Sequence, residues 1–572
     1  MFQAPPPNFQ DEPPKECEPE IERTTELESP SSMPTIVQSA VCQAMDTRIF
    51  QIESAFTRGF SGFHLIGNAT EICRDGKERA KAALEYIGIH IPPRKLVVSL
   101  TPADIKKDGN QFDLPIAMTL ALLLKVEARA IDPSRWLFAA ELGLSGEIRP
   151  VKGVVSFAVA AIAAGLSGIV VAKENLPDII MLAKISGEHM KGIKLLGFSN
   201  IADVVHWVYT GLEPDAANEP CALRQDPSHH ATPSDAPDST NFPDYDDMIL
   251  VPDLKKAALT IAAGLHSVLL RGSPGTGKSM FSARLPSILP KMNEDVHIEA
   301  MKIHSAFSER LPTGILMGRA PFRAPHHQAS SVAVLGNPSC PGELSLAHGG
   351  ILFLDEIPEF RRDLIESLRE PLETGEVRVS RANKKIVWKA KVILAAACNN
   401  CPCGWSGSHR KQCRCSTQRL HAYQQKLSGP ILERIDIHIN MPESKEKKSE
   451  IFLALARGQT KEQTEGMAAH VIETRRFASE RNKTFGVMFN RDLQASHLIE
   501  ASGLSKDGFS TLVNTFIPRT ASSRAAIRAL RVARTLADLD FSPRIRDEDL
   551  RQAWGWQAEM AAKERGDHAQ GF

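Results

Sequence analysis

The stretch that decides the fold is Val268-Leu-Leu-Arg-Gly-Ser-Pro-Gly-Thr-Gly-Lys-Ser279. Its first part, Val268–Arg271, predicts a short strand, and its second part matches the pattern G-x-x-x-x-G-K-[ST]. Glycines in such a loop let backbone N–H groups converge on phosphate oxygens, because no Cβ stands in the way. Met280–Leu285 is compatible with the helix that follows a loop of this kind. The stretch therefore predicts a phosphate-binding P-loop in an α/β fold.

The whole loop is the candidate site for the phosphates of ATP. Lys278 is expected to reach the β- and γ-phosphates, and Ser279 is expected to hold Mg²⁺. A chance glycine-rich turn is the alternative, and it is disfavoured by the strand before the loop and the helix after it. The loop residues are Gly272, Ser273, Pro274, Gly275, Thr276, Gly277, Lys278 and Ser279.

A second apolar segment, Ile351–Leu354, ends in the carboxylates of Asp355 and Glu356. An apolar strand is typical of the core of a parallel sheet, and ligands of α/β proteins lie at the carboxyl ends of such strands. We expect Asp355 to complete the Mg²⁺ shell and Glu356 to polarise the attacking water. An ordinary acidic turn is the alternative, but the upstream P-loop makes an ATPase the better interpretation.

Further polar side chains follow downstream of these motifs. Lys391–Ala397 predicts another strand, and Asn399 just after it can orient the attacking water. Arg434 and Arg524 are candidates for the arginine that stabilises the charge of phosphoryl transfer, which a neighbouring subunit can supply. The predicted helix that begins near Ser522 also carries Arg528, Arg531 and Arg534. For Arg531 and Arg534 a merely solvated helix face is the alternative.

Composition divides the chain into five parts. Residues 1–36 are acidic and proline-rich and predict a disordered tail, and residues 213–245 predict a linker. The linker separates a folded block at 37–212 from the ATPase core at 246–445. Residues 446–572 predict a helical lid, with charged periodic segments such as Ser449–Arg457 and Ser522–Leu539.

The order of motifs resembles the magnesium-chelatase-like branch of AAA+ ATPases, and within it the ComM/YifB family. The resemblance covers about residues 37–560, and its most specific parts are FRAPHH and SLAHGG. The motifs that carry it, besides the P-loop, are FRAPHH (Phe322–His327), GELSLAHGGILFLDEIPEF (Gly342–Phe360), REPLETGEVRVSRA (Arg369–Ala382), NNCPCG (Asn399–Gly404) and SGPILERIDIHI (Ser428–Ile439).

The resemblance implies roles for individual residues. Asn399 is expected to be sensor 1, Arg434 the arginine finger acting on a neighbour, and Arg524 the sensor 2 arginine. Glu433 stands where the family usually has Asp, and Asn400 stands where it usually has Pro. A finger that acts on a neighbour implies a ring, and the family forms hexamers.

The first folded block is similar to the proteolytic domain of Lon, through Gly143–Val171 and the residues after it. The resemblance implies an α/β domain of the ribosomal S5 domain 2 type. Lon-type proteases need a serine nucleophile and a lysine that deprotonates it. Alignment places Val155 at the lysine position, leaves Lys152 out of register, and finds no serine in Asn110–Asp113. We therefore expect a domain without protease activity that serves assembly or partner binding.

A basic segment precedes the predicted Asn399 strand. Between residues 378 and 391 it has no acidic residue, and two β-like runs flank a turn at 381–384. In this AAA+ branch such a hairpin projects into the ring channel, where basic side chains contact DNA phosphates without reading sequence. A solvated hairpin is the alternative. The hairpin candidates are Arg378, Arg381, Lys384 and Lys385.

Two Cys-x-Cys pairs lie in one short loop, at Cys401 and Cys403 and at Cys413 and Cys415. Four thiolates can form a tetrahedral Zn²⁺ site, although this spacing is tighter than the usual C-x₂₋₄-C. The sequence therefore allows two interpretations of this loop, a zinc site and a cluster of free thiols.

Overall composition limits the function classes. The 572 residues contain 68 Lys+Arg and 68 Asp+Glu, which excludes a uniformly basic DNA-coating protein. Ten cysteines are too few for a disulfide scaffold, and no apolar run, Val154–Val171 included, predicts a membrane span. We expect a cytoplasmic protein that does not bind membranes.

The sequence thus predicts an α/β protein: a Lon-like domain, an AAA+ P-loop ATPase core and a helical lid. The resemblance implies a homo-hexamer that uses ATP and Mg²⁺ to translocate single-stranded or branched DNA, as in branch migration during uptake of foreign DNA. A magnesium chelatase motor subunit and a protein-remodelling chaperone are the alternatives.

Overall fold

The structure, a computed structural model, describes residues 35–190, 192–213, 243–381, 384–426, 429–443 and 462–564. Almost all of the predicted acidic tail lies outside these residues, as do residues 214–242 of the predicted linker and the segment Ser449–Arg457. Within the described ranges, no helix combines the length and apolarity that crossing a membrane requires.

The N-terminal domain is built on a seven-stranded mixed sheet in the order β3-β4-β2-β1-β5-β8-β9. Antiparallel pairing joins β1 to β2 and β2 to β4, and the other neighbours are parallel. The strands of the domain are β1 (Thr35–Gln43), β2 (Asp46–Thr57), β3 (Gly62–Ile66), β4 (Lys95–Thr101), β5 (Trp136–Ala139), β6 (Glu141–Leu142), β7 (Ile148–Arg149), β8 (Gly168–Ala172) and β9 (Lys194–Phe198), of which β6 and β7 form a separate ribbon.

Helices cover the sheet most completely at β5 and β8, whose residues are all buried, whereas β2 alternates between buried and exposed positions. The long apolar run Val154–Val171 is split into a helix and strand β8, and Gly165 supplies the left-handed turn between them with φ of 66°. The α-helices are Glu71–Tyr86, Asp113–Leu124, Val154–Ala163, Leu176–Ser186 and Ile201–Thr210, and short 3₁₀ turns lie at Asn110–Phe112, Pro133–Arg135, Lys173–Asn175 and Gly187–Met190.

The second domain has a five-stranded parallel sheet in the order β11-β14-β17-β10-β18. Its central strands are wholly apolar and buried, as expected for a sheet covered on both faces. The strands of this domain are β10 (Val268–Arg271), β11 (Phe322–Arg323), β12 (Gly336–Asn337), β13 (Cys340–Pro341), β14 (Ile351–Leu354), β15 (Glu376–Arg381), β16 (Lys384–Lys389), β17 (Ile393–Cys398) and β18 (Ile437–Asn440).

The described α-helices of this domain are mostly short. They are Pro252–Gly264, Lys278–Arg284, Glu294–Phe307, Thr313–Leu316, Ser331–Leu335, Glu343–Leu346, Arg362–Ser367, Arg369–Thr374, Thr417–Lys426 and Gly429–Leu432, with 3₁₀ turns at Tyr245–Asp247, Leu285–Ile288 and Ile357–Glu359. Tyr245, the last residue of the predicted linker, is fully buried against Phe281 and donates its hydroxyl to the Phe281 carbonyl at 3.0 Å. The ATPase core therefore already includes Tyr245.

The described C-terminal region is helical, and the predicted helix at Ser522–Leu539 is observed as Ser523–Leu539 with Ser522 as its cap. The helices are Gln463–Asn482, Leu498–Ala501, Lys506–Phe516, Ser523–Leu539 and Asp547–Glu564, with 3₁₀ turns at Lys483–Phe485, Asn490–Asp492 and Ala495–His497.

Two arginines of helix Ser523–Leu539 are not on a solvated face, so that alternative was wrong for them. Arg534 is fully buried and pairs with Asp538 at 3.0 Å, and Arg531 donates to the Leu493 carbonyl at 2.7 Å. The Nη atoms of Arg534 donate to Asp538 and to backbone carbonyls, which offsets the cost of burying this charge, although its Nε has no hydrogen-bond partner among the described residues. Both arginines therefore hold the lid together.

Hydrogen bonds join the N-terminal domain to the ATPase core. Val155 N donates to Ser305 Oγ at 3.3 Å, and Gly153 N donates to the Ser305 carbonyl at 2.8 Å. Asn175 Nδ2 donates to the Glu309 carbonyl at 2.6 Å. Val155, the position that aligns with the Lon lysine, is therefore fully buried beneath the second domain.

Candidate nucleotide site

The P-loop connects β10 to helix Lys278–Arg284, as the sequence predicts. Gly275 and Gly277 adopt φ values of 75° and 88°, which only glycine adopts without strain. A Cβ added at Gly275 would meet no atom within 4 Å, so the loop backbone is accessible there. Thr276 stabilises the turn by donating its hydroxyl to the Ser273 carbonyl at 3.0 Å.

The ammonium group of Lys278 lies at the centre of the site. Nζ donates to the carbonyls of Gly272 and Ser273 at 2.8 and 3.1 Å, and to Asn399 Oδ1 at 3.1 Å. Burial lowers the pKa of Lys278, and the carboxylate of Asp355 opposes that shift. Lys278 therefore places a nearly buried cation between the P-loop and the polar residue predicted as sensor 1.

Asn399 reaches Lys278 because of the order of the strands. Strand β17 lies between β10 and β14, with Arg271 opposite Cys398 in the register. Asn399, the next residue after Cys398, therefore emerges beside the start of the P-loop. The carboxyl ends of parallel strands meet at one edge of a sheet, which is where ligands bind in such folds.

Ser279 and Asp355 come together although they are far apart in the chain. Ser279 Oγ donates to Asp355 Oδ2 at 2.7 Å. Hydroxyl and carboxylate oxygens are the ligands that Mg²⁺ prefers, so this pair fits the predicted metal role. Asp355 Oδ1 also accepts from the backbone N–H of Glu356 at 2.9 Å, which fixes the carboxylate.

Glu356 has a backbone conformation that is unusual for a residue with a side chain. Its φ and ψ are 51° and 46°, in the left-handed region, and it is exposed to solvent beside Asp355. Non-glycine residues in this region are strained by about 1–3 kcal/mol and cluster at functional sites. The left-handed conformation of Glu356 turns the chain away from the direction of β14 immediately after Asp355.

The two candidate arginines lie at the other edge of the sheet. Arg434 Nη2 pairs with Glu373 at 2.6 Å, and Nε donates to the Arg369 carbonyl at 3.1 Å. Two residues later, Asp436 accepts from Ser267 N at 3.0 Å, just before β10 begins. Arg434 thus lies near the amino end of β10, whereas the P-loop follows its carboxyl end.

Arg524 lies on the same side of the protein as Arg434. Its Nη1 is 3.5 Å from Glu433 Oε2, and both side chains are largely exposed. Arg528, one turn further along the same helix, interacts with Asp436 and Glu433, again near the amino end of β10. The structure therefore brings Arg434 and Arg524 together and keeps both apart from the P-loop of their own chain.

The predicted hairpin is present as β15 and β16, with Arg381 opposite Lys384 and Ser380 opposite Lys385. Trp388 anchors its base, since the indole is buried and donates to the Asn337 carbonyl at 3.1 Å. The hairpin turn at 382–383 and the side chains of Arg381 and Lys384 lie outside the described residues.

The charge of the hairpin base is partly neutralised. Arg378 pairs with Glu376 at 3.3 Å and with Glu370 at 3.8 Å, and Lys389 pairs with Glu376 at 2.9 Å. The exposed Lys385 lines a cavity of about 490 Å³ that the hairpin shares with the turn between β1 and β2. Acidic side chains therefore accompany the basic residues at the base of the hairpin.

The four predicted cysteines converge, since their sulfur atoms all lie within 4.8 Å of one another. Cys401 is buried and begins the loop directly after Asn399 and Asn400.

Two residues of the site were not found by sequence reasoning. Tyr423, on helix Thr417–Lys426, is almost buried beside Asn399, and burial raises the pKa of its hydroxyl. Glu443 accepts from the backbone of His409 at 3.1 Å and contacts Ser273 of the P-loop, and its pKa is lowered by hydrogen bonds from Ser408 and Ser273. Neither residue belongs to a local motif, so only the tertiary contacts reveal them.

Comparison with known families matches three models to most of the chain. Residues 244–449 match "Magnesium chelatase, subunit ChlI". Residues 52–175 match "Subunit ChlI of Mg-chelatase", and residues 461–557 match "Magnesium chelatase, subunit ChlI C-terminal". The N-terminal domain, the ATPase core and the lid are thus each matched.

Curated relatives span nearly the whole chain. The "Uncharacterized protein YifB" of Escherichia coli is 32% identical over 92% of this chain and 97% of its own length. The "Competence protein ComM" of Haemophilus influenzae is 32% identical over 91% of this chain and 97% of its own length.

A partial likeness links the chain to Lon. The "Lon protease" of Mycolicibacterium smegmatis is 22% identical over 31% of this chain and 22% of its own length. With the P-loop sheet, this agrees with the predicted fold of a Lon-like domain, an AAA+ core and a helical lid, and the fold class is confirmed. The chain belongs to the ComM/YifB family of magnesium-chelatase-like AAA+ proteins.

Proposed function

We propose that this protein is a ring-forming ATPase that couples ATP hydrolysis to translocation on DNA. The observation that carries the proposal is the separation of two half-sites. Lys278, Ser279, Asp355 and Asn399 meet at one edge of the parallel sheet, and Arg434 lies at the opposite edge.

The first half-site has the groups that hold and hydrolyse ATP. Lys278 exchanges its hydrogen bonds to loop carbonyls for phosphate oxygens, and Ser279 with Asp355 holds Mg²⁺. When bound between Ser279 and Asp355, Mg²⁺ would supply positive charge that offsets the charge of the phosphates. Glu356 polarises the attacking water, and Asn399 orients that water through its side-chain amide.

The second half-site acts on a neighbouring subunit. Strand β10 has four residues, which span about 13 Å at about 3.3 Å per residue. Arg434 lies beyond its amino end and cannot reach the P-loop beyond its carboxyl end. Repeated head-to-tail contacts close into rings, so each Arg434 completes the next subunit's site. A homo-hexamer is the form that we propose.

Glu373 is the partner that Arg434 exchanges for phosphate. It holds the guanidinium at 2.6 Å while its own side chain is largely exposed. Exposed ion pairs are worth about 1 kcal/mol or less, so a phosphate in a closed interface displaces the carboxylate.

The hairpin of β15 and β16 is the proposed DNA contact. Its base is fixed by Trp388, and its basic candidates are Arg378, Arg381, Lys384 and Lys385. Several subunits around one channel multiply this charge, so a neutral chain can still bind a polyanion. These basic side chains would contact the phosphates of DNA and not its bases, so we expect binding without sequence preference.

One relative is named a competence protein, which favours DNA taken up by the cell as the substrate. We propose branch migration of recombination intermediates during uptake of foreign DNA. The matched family models are named for magnesium chelatase. The second candidate function is therefore that of a motor subunit that assists metal insertion into a porphyrin. A protein-remodelling ATPase is the third.

One experiment separates these candidates. Purified protein is assayed for ATP hydrolysis with forked DNA, single-stranded DNA, an unfolded protein substrate or no addition, and for branch migration of a synthetic junction. DNA-stimulated hydrolysis and ATP-dependent migration are expected, and both are expected to vanish in Lys278→Ala. Hydrolysis that ignores DNA but responds to the unfolded protein would support remodelling instead.

A further inference from the structure

The loop after Asn399 contains a cluster of four sulfur atoms with the dimensions of a metal site. Sγ of Cys401 lies 3.3 Å from that of Cys403 and 3.7 Å from that of Cys413, and Cys403 lies 3.6 Å from Cys413. A tetrahedron with zinc–sulfur bonds of about 2.3 Å has sulfur–sulfur edges of about 3.8 Å. All four sulfur atoms, including Cys415 Sγ, lie within 4.8 Å of one another, as binding to one shared metal ion requires.

The backbone of the loop suits thiolates. Ser406 N donates to Cys401 Sγ at 3.3 Å, and Cys415 N donates to Cys413 Sγ at 3.5 Å. Donors aimed at sulfur stabilise its negative charge, and outer groups of this kind orient metal ligands. Gly404, with φ of 84°, turns the chain between the two Cys-x-Cys pairs and donates its N–H to the Cys401 carbonyl at 2.9 Å.

The same loop packs directly on the phosphate-binding loop. A Cβ built on Gly404 would lie 2.6 Å from Pro274 Cγ, closer than two carbons can approach. At the far side of the loop, Glu443 accepts from His409 N at 3.1 Å and contacts Ser273. The cysteine loop therefore touches Pro274 directly and is linked to Ser273 through Glu443.

We propose that Cys401, Cys403, Cys413 and Cys415 bind one structural zinc ion, and that this zinc holds the loop against Pro274 and so sets nucleotide affinity. None of the residues 399–416 belongs to a hydrophobic core cluster of the described structure, so the folding free energy supplied by metal binding would hold this loop. The zinc site stands independently of any activity, whereas its effect on nucleotide rests on the proposed ATP site.

The first test is the metal content of the purified full-length chain, measured by mass spectrometry. About one zinc per chain is expected, as for a four-cysteine structural site. Cys415→Ser is expected to weaken zinc binding on the order of tenfold or more, and Cys415→His is expected to retain it, since imidazole is also a zinc ligand. Cys340→Ser, outside the cluster, is the matched control. A chain that purifies without zinc and does not take it up overturns the site.

The second test measures the affinity for a fluorescent ADP before and after a chelator removes zinc from the unmutated protein. At least tenfold weaker binding that recovers on adding zinc is expected. Unchanged affinity, or a loss that zinc does not restore, overturns the coupling. Lys278→Ala is expected to keep zinc and lose ADP, so failure of the ATP site and failure of the zinc site give different results.

Two glycines in the loop, Gly404 and Gly407, provide a substitution and a matched control that test the contact with Pro274. Gly404 and Gly407 have φ values of 84° and 77°, so alanine strains the backbone similarly at both. The added Cβ meets Pro274 at Gly404, but it meets no atom within 4 Å at Gly407. Gly404→Ala is expected to weaken ADP binding several-fold more than Gly407→Ala, with zinc retained in both. Equal effects would remove the role of the Pro274 contact.

Discussion

Arg524 Nη1 lies 3.5 Å from Glu433 Oε2, and Glu433 directly precedes Arg434. This ion pair joins the lid to the segment that enters β18. It places two guanidinium groups from distant parts of the chain on one surface, away from the P-loop of the same subunit. The resemblance assigned separate roles to these arginines, and in the ring that we propose both would face the site of the same neighbouring subunit.

Loss of the proposed finger should abolish turnover without affecting binding. We expect Arg434→Ala to reduce the hydrolysis rate by about 10³-fold or more, because an arginine finger stabilises charge that develops only during transfer. Steady-state hydrolysis and fluorescent nucleotide binding measure the two effects. Arg476→Ala, on an exposed part of helix Gln463–Asn482, is the control. Near-normal turnover of Arg434→Ala would refute the assignment.

Mixing two inactive variants should restore activity if the finger acts on a neighbour. Lys278→Ala lacks a working P-loop but keeps Arg434, and Arg434→Ala has the opposite defect. In a mixed ring about a quarter of the head-to-tail interfaces combine an intact loop with an intact finger. Hydrolysis well above that of either variant is expected in the mixture. Activity that stays at the level of the separate variants would argue against completion between subunits.

Glu356→Gln should trap ATP. The amide keeps the size of the side chain but cannot polarise water, so hydrolysis is expected to fall by about 10²–10⁴-fold. ATP affinity should stay near that of the unmutated protein, because Lys278, Ser279 and Asp355 are unchanged. Filter binding of labelled ATP and single-turnover hydrolysis check this. If Glu356→Gln hydrolyses ATP normally, another residue polarises the water.

Charge reversal on the hairpin should weaken DNA binding. For Lys384→Glu combined with Lys385→Glu we expect lower affinity and a shallower salt dependence, with a slope smaller by roughly 0.7 for each phosphate that the hairpin no longer neutralises. Arg378→Ala should matter less, because Glu370 and Glu376 already share its charge. Fluorescence anisotropy with labelled single-stranded DNA at several salt concentrations measures both. Lys81→Glu combined with Lys184→Glu, two exposed positions on the N-terminal domain, makes the same change in net charge and is the control.

The domain interface should lose stability as pH rises toward neutrality. Burial raises the pKa of Asp178 to about 7, although Leu311 N donates to its carboxylate at 3.3 Å. The unfolded pKa is about 3.9, so the folded chain binds more protons between about pH 4 and pH 7. The contribution of the Asp178 carboxyl group to the free energy of unfolding is therefore fully present below about pH 4 and is lost as pH rises through about 7.

Asp178→Asn tests this directly. The amide oxygen can still accept from Leu311 N but does not ionise, so the variant should melt at a higher temperature than the unmutated protein at pH 8. The difference should shrink at pH 5.5, where the Asp178 carboxyl is mostly protonated in the folded chain. Thermal melting at both pH values provides the measurement. An equal difference at the two pH values would contradict the shifted pKa.

Local patterns predicted much of the site. The P-loop, the strand before Asp355, the hairpin and helix Ser523–Leu539 are each written in contiguous residues, whose backbone preferences and apolar periodicity act over short distances. The fold class followed because these short apolar strands and their motifs occur in one order.

Long-range packing decided the rest. Nothing near Arg534 in the sequence shows that its guanidinium is buried against the Ala501 carbonyl, 33 positions away, and nothing near Gly404 shows that it touches Pro274. The hydrogen bond of Ser279 to Asp355 spans 76 positions, and that of Lys278 to Asn399 spans 121. The sequence alone therefore determined which elements form and which chemistry they carry. Only the tertiary structure decided which side chains meet, because strand order and the packing of the lid set those distances.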